Sequence, residues 1–138
     1  MQLSRRVLIV EDEPLIAEML REWLVELGYE VIGPAASNEA GLALIAQGPP
    51  LSCAILDITV RDGPSYGIAR ALEERGIQYA FATGHGAESI DPQFTNAPTL
   101  QKPFEFDLLA EIVAGLEKRN GGAAHSTPKL APDSRARS

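Results

Sequence analysis

One cysteine and two histidines are all that these 138 residues offer to disulfide or soft-metal chemistry. Cys53 has no second cysteine to pair with, and with His85 and His125 as the sole imidazoles there is no cluster for zinc. Any metal must therefore be a hard one. Long apolar runs are missing as well. Behind Met1-Gln2-Leu3-Ser4-Arg5-Arg6 the run from Val7 to Val10 stops at Glu11, far short of a signal-peptide core or the roughly 20 residues of a membrane span. A cytoplasmic protein without membrane insertion is expected. Neither G-x-G-x-x-G nor a Walker pattern occurs, so nucleotide binding is unsupported. No internal repeat is evident.

What is present has ordinary globular proportions, 45% hydrophobic and 22% charged residues, at the length of one average domain. Positive charge is scarce and unevenly placed. Of a net −7, residues 119–138 carry +3 from Arg119, Lys129, Arg135 and Arg137 against Asp133, leaving −10 on residues 1–118. An acidic body repels phosphates, so direct nucleic-acid binding is not expected. The basic end has no aromatic residue and is rich in Gly, Ala, Ser and Pro, the composition of a disordered tail. The expected organisation is a domain over 1–118 and a disordered tail over 119–138.

Hydrophobic spacing predicts strands and helices in alternation. Arg6 to Val10 reads as a strand; Pro14 opens a helix with Leu15, Ile16, Met19, Leu20, Trp23, Leu24 and Leu27 at helical spacing, closed by Gly28. Tyr29 to Gly33 is a second strand. Ser37 caps a second helix whose buried face is expected at Ala40, Ala43 and Leu44 and which ends near Gly48. Cys53 to Leu56 is a third strand ending at Asp57, followed by a flexible loop, Thr59 to Gly63, and a third helix over Ser65 to Arg75. Tyr79 to Ala82 and Thr99 to Gln101 complete five strands, with a short, weak helix between them, interrupted by Gly84, Gly86 and Pro92. Phe104, Leu108, Leu109, Ile112, Val113 and Leu116 stripe a last helix that frays toward Asn120-Gly121-Gly122. Strands apolar on both faces argue for an α/β fold, a doubly wound parallel sheet with helices on each side.

Ligands of such sheets bind beyond the carboxyl ends of the strands. The first strand ends in Glu11-Asp12, the third in Asp57, the fourth in Thr83 and the fifth in Lys102. Three carboxylates on one rim repel unless a cation joins them, and all-oxygen ligands suit Mg²⁺, which accepts substrate phosphate oxygens. With that charge neutralised, one carboxylate can attack phosphorus. Asp57 is the best candidate nucleophile because a loop with room for a phosphodonor follows it. Thr83 can donate a hydrogen bond to the new phosphoryl group, and Lys102 supplies a point charge.

Val7-Leu8-Ile9-Val10-Glu11-Asp12-Glu13, Asp57, Thr83 and Lys102-Pro103-Phe104 together resemble the receiver domain of bacterial two-component response regulators, over about residues 5–118. The resemblance implies a flavodoxin-like strand order 2-1-3-4-5 and Mg²⁺ held by Asp12, Asp57 and the backbone carbonyl of Thr59, with Glu11 assisting. It also implies a phosphoryl group passed to Asp57 from a histidine kinase or phosphotransfer protein, a cis Lys102–Pro103 bond, and a downstream protein target. No output domain follows in the sequence. A stand-alone receiver is expected, not an enzyme but a phosphoacceptor that assists its own phosphorylation and dephosphorylation. Phe81-Ala82-Thr83-Gly84 also resembles the Phe-Ala-Thr-Gly-hydrophobic-Tyr signature of stand-alone receivers, in part, since His85 and Gly86 fill the last two places. Where most receivers carry an aromatic three residues before the lysine, this chain has Thr99, so the segment Gly84 to Pro98 is expected to carry the switch.

Each residue also has a plainer reading. Asp12 and Glu13 complement a helix start, Asp57 ends a strand at a turn, and Thr83 and Lys102 are strand-end residues. A carboxylate closing the apolar run Ala54-Ile55-Leu56 needs a partner, however, and Lys102 stands opposite. His85 reads as an exposed loop histidine, Trp23 and Phe106 as packing. Two other functions compete. A pseudo-receiver adaptor would not need the intact acidic pair with Asp57, Thr83 and Lys102. A phosphatase of the haloacid dehalogenase type needs an aspartate two places after its nucleophile, where this chain has Thr59.

Overall fold

The computed structural model describes residues 5–84, 90–94 and 96–123, the last five in backbone alone. His85, Gly86, His125, residues 85–89 and 95 of the expected switch segment, and the tail from 124 lie outside the described residues. Strand β1 (Arg6–Val10) is followed by helix α1 (Pro14–Glu26), β2 (Glu30–Ala35) and α2 (Asn38–Gln47). The chain continues through β3 (Cys53–Asp57), two short strands β4 (Thr59–Val60) and β5 (Gly63–Pro64), α3 (Tyr66–Glu74), β6 (Gln78–Thr83), a 3₁₀ turn at Pro92–Phe94, β7 (Thr99–Gln101) and α4 (Phe106–Ala123).

Five strands form one sheet in the order β2-β1-β3-β6-β7, every neighbouring pair parallel. Counting those five alone, this is the expected 2-1-3-4-5. The alternation of side chains along each strand divides the core in two. Leu8, Val10, Ala54, Leu56, Tyr79 and Phe81 face α2 and α3, with Ile45, Ile68 and Leu72. Val7, Ile9, Cys53, Ile55, Ala80 and Ala82 face α1 and α4, with Leu20, Leu24, Leu109, Val113 and Leu116. The central strands are therefore buried on both faces, as parallel strands with covering helices must be.

Five details depart from expectation. Strand β2 runs past Gly33 to Ala35 through an irregularity in its pairing with β1. Gly33 has φ +99, where a Cβ would sit 2.8 Å from Ile9 O, and the Gly33–Pro34 bond is cis; a bulge is where a sheet accepts Pro. In α2 the buried residues are Gly41 and Ile45, not Ala40 and Ala43, which are exposed, while Leu44 is half-buried. A Cβ at Gly41 would stand 2.6 Å from Ile68 Cδ1 and 3.4 Å from Val10 Cγ2, so the helix presses its glycine, and not its alanines, against the sheet. Leu15 and Leu108 fall off their stripes at 79% and 40% exposure; Leu15 is five positions from Leu20, about 140° around the helix. The loop after Asp57 is not featureless, since β4 and β5 pair antiparallel with Thr59 opposite Pro64 and Val60 opposite Gly63. Helix α4 also continues through Asn120-Gly121-Gly122 to Ala123. Among the described residues no helix is long and apolar enough to cross a membrane.

Candidate functional site

Register brings the strand ends together. Val10 is paired with Leu56 on one side of β3 and Asp57 with Ala82 on the other, so Glu11, Asp57 and Thr83 leave the sheet on one rim. The N–H of Lys102 donates to Thr83 O at 2.8 Å, tying the end of β7 to the same rim. The Glu11 N–H donates to Ala35 O at 2.8 Å, made possible by the extension of β2 past its bulge. Glu11 Oε2 in turn accepts the N–H of Glu13 at 3.1 Å. The start of α1 therefore uses Glu11, two residues upstream, while the side chain of Glu13 makes no capping bond. The Lys102–Pro103 bond is cis, as expected.

Glu11, Asp12 and Asp57 each offer a carboxylate oxygen within 4.8 Å of the others. Lys102 Nζ lies 2.9 Å from Glu11 Oε1 and 3.5 Å from Asp57 Oδ2. The first contact is charge against charge rather than a well-directed hydrogen bond. Glu11 is 2% exposed, and burial pushes its carboxyl up to about 7, against the pull of the Lys102 ammonium, with the Asp57 charge adding to the rise. Among the described residues one ammonium, that of Lys102, meets two of the three carboxylates, an excess of negative charge that a divalent cation would neutralise. Thr83 is buried at the end of β6.

Thr59 is exposed and two residues beyond Asp57. Its partner in the hairpin is Pro64, which has no N–H to give. Ser65 N–H donates to Ile58 O at 2.7 Å, which makes 59–64 a pair of the non-hydrogen-bonded kind and turns the Thr59 carbonyl out of the ladder. Sequence reasoning missed Ser65 itself, which is fully buried and donates its Oγ to Asp57 O at 2.6 Å. A serine opening a helix after Pro64 was a legible capping signal, but its partner was not. Also unforeseen was Asp62, whose carboxylate accepts the N–H groups of Asn38 at 2.7 Å and Glu39 at 3.3 Å. These bonds hold its carboxyl below the usual range, the Asn38 N–H first among them.

No family model matches the chain. Among solved structures it is similar to SdrG of Sphingomonas melonis Fr1, 41% identical, with a TM-score of 0.74 over 84% of this chain and 98% of that one; a BeF3-activated conformation of SdrG aligns with a TM-score of 0.71. A CheY-like response regulator receiver domain protein of Methanospirillum hungatei is 28% identical, with a TM-score of 0.73 over 86% of this chain and 98% of that one. The chain belongs to the response regulator receiver family. A curated relative, the transcriptional regulatory protein AruR of Pseudomonas aeruginosa, is 38% identical over 92 residues, 64% of this receiver. The receiver spans 38% of AruR's length.

The donor chemistry of this receiver fits Mg²⁺. Every ligand atom at the acid cluster is a hard oxygen, the three carboxylates are within mutual reach, and the carbonyl of Thr59, two residues beyond Asp57, is turned out of its ladder.

Proposed function

We propose that Asp57 accepts a phosphoryl group from a histidine kinase or phosphotransfer protein in the cytoplasm, and that the phosphorylated receiver signals by changed affinity for a downstream protein. The observation that carries this reading is the set of Asp57, Asp12 and Glu11 within 4.8 Å, with Lys102 Nζ 3.5 Å from Asp57. Asp12, Asp57 and the Thr59 carbonyl would hold Mg²⁺, with Glu11 assisting. When bound, the ion neutralises the carboxylates and the charge on the transferring phosphoryl oxygens.

The rest is done by the chain. An Asp57 oxygen attacks phosphorus as the bond to the donor's leaving group breaks, and the leaving group keeps that electron pair; the product is an acyl phosphate. The Thr83 hydroxyl donates to a phosphoryl oxygen. Lys102, released from Asp57 when that carboxylate becomes an acyl phosphate, pairs with the phosphoryl charge as a compact, mobile cation. The −10 carried by residues 1–118 favours a protein target over nucleic acid.

Intact-mass spectrometry after incubation with acetyl phosphate and Mg²⁺ tests the reading. One added phosphoryl group is expected in the wild type, none in Asp57→Asn, and little in Asp12→Ala, which loses a ligand and a charge. Equal labelling of Asp57→Asn and wild type would overturn the assignment.

A further inference from the structure

Beside the acid cluster lies a buried polar side chain that the reaction above does not use. Ser65 is fully buried and precedes the first residue of α3. A serine there ordinarily turns its oxygen to an N–H two or three residues on, yet this one makes no such bond. Its Oγ donates to Asp57 O at 2.6 Å, and its N–H donates to Ile58 O at 2.7 Å. One residue thus holds two successive carbonyls, beginning at the candidate phosphoacceptor. Each peptide unit is rigid, so fixing those two carbonyls fixes the planes that lead from Asp57 into Thr59. The rotation left at Thr59 is limited by its pairing with Pro64.

We infer that Ser65 is a positioning residue for the phosphoryl site: its hydroxyl holds the main chain of Asp57, and through it the Thr59 carbonyl, in the orientation a divalent cation takes up. This rests on the reading of Asp57 and the oxygen site given above. The serine hydroxyl is not needed to cap α3, since it makes no capping bond, and the N–H to Ile58 survives replacement by alanine. Loss of the hydroxyl therefore frees the Asp57 carbonyl while the hairpin keeps its other tie. A carbonyl robbed of its donor swings toward whatever will pair with it, and the ligand geometry loosens.

The test uses the full chain and three readouts: amide exchange over residues 57–65 without metal, Mg²⁺ affinity by calorimetry, and labelling by acetyl phosphate against Mg²⁺ concentration. Ser65→Ala should exchange faster over 57–65 and bind Mg²⁺ about tenfold more weakly, the size of effect typical of groups that orient metal ligands. Its labelling rate at saturating Mg²⁺ should stay within about threefold of wild type, because the lost interaction acts on ligand placement rather than on the transition state. Ser65→Thr, which keeps the hydroxyl, should return the affinity to within about twofold. A folded Ser65→Ala with wild-type exchange and Mg²⁺ affinity overturns the inference, as does Ser65→Thr behaving like Ser65→Ala. If Ser65→Ala fails to fold, Ser65→Cys is judged by the same criteria, its weaker donor giving a smaller loss of affinity. Failure of the underlying reading looks different: the wild type then takes up neither Mg²⁺ nor a phosphoryl group.

Discussion

Lys102 is the one cation in contact with both Glu11 and Asp57 among the described residues, at 2.9 and 3.5 Å. Lys102→Ala should leave the fold intact but slow labelling of Asp57 by about 10²-fold, the usual loss when one group stabilising a transferring charge is removed. Stopped-time mass spectrometry at saturating Mg²⁺ checks it, and a rate unchanged from wild type would exclude Lys102 from the reaction. Cys53 shows the opposite use of a titratable group. Burial pushes its thiol up to about 12, so native protein should resist iodoacetamide at about pH 8 and react once unfolded, because the thiolate is the nucleophile. The sign of its pH effect follows: the unfolded thiol ionises near 8.5 and the folded one does not, so stability falls as pH rises from about 8.5 toward 12. Tyr29 and Tyr79, both raised by burial and by carboxylate partners Glu117 and Glu73, act in the same direction. Urea midpoints at about pH 8 and about pH 10.5 should differ less in Cys53→Ala than in wild type.

At the scale of elements, the 3₁₀ turn at Pro92–Phe94 is held by aromatic rings. Phe94, in the 3₁₀ turn, stacks on Tyr66 of α3 with centroids 4.7 Å apart, and both stand nearly perpendicular to the ring of Phe81 on β6. The Tyr66 hydroxyl accepts the N–H of Asp91 at 2.8 Å. Phe81, two residues before Thr83, is paired with Thr99, so aromatic bulk lies on β6 beside the position where most receivers carry it on the last strand. Phe94→Ala should cost about 3–5 kcal/mol and Tyr66→Phe about 1 kcal/mol, read from urea denaturation. Elements with one strong signal were legible in the sequence. The unbroken run in β1 and the Pro14 start of α1 fall where expected. The face of α2 was not, because its three alanines and glycine carry little hydrophobic contrast and close approach to Ile68 decided the matter. The β4–β5 hairpin was hidden for a different reason: two pairs of residues leave no periodicity, and long-range ties from Asp62 to α2 and from Ser65 to Asp57 complete it.

At the scale of the molecule, the rim of the sheet could be read before the fold was seen, because four of the five strands lead from an apolar run into a polar residue, Glu11, Asp57, Thr83 and Lys102, and parallel strands end on one side. What the sequence could not supply was the second tier, the carbonyl of Ala35 behind Glu11 and the hydroxyl of Ser65 behind Asp57, since both depend on which turns approach the rim. The proposed chemistry is specific to one oxygen-bearing side chain, that of Asp57. Borohydride reduction of acetyl phosphate-treated protein, followed by peptide mass spectrometry, converts an aspartyl phosphate to homoserine and locates it. Homoserine is expected at position 57, formed with Mg²⁺ and absent when the ion is chelated. Reduction mapped to Asp12 or any other carboxylate, or a label at Asp57 indifferent to Mg²⁺, would contradict it.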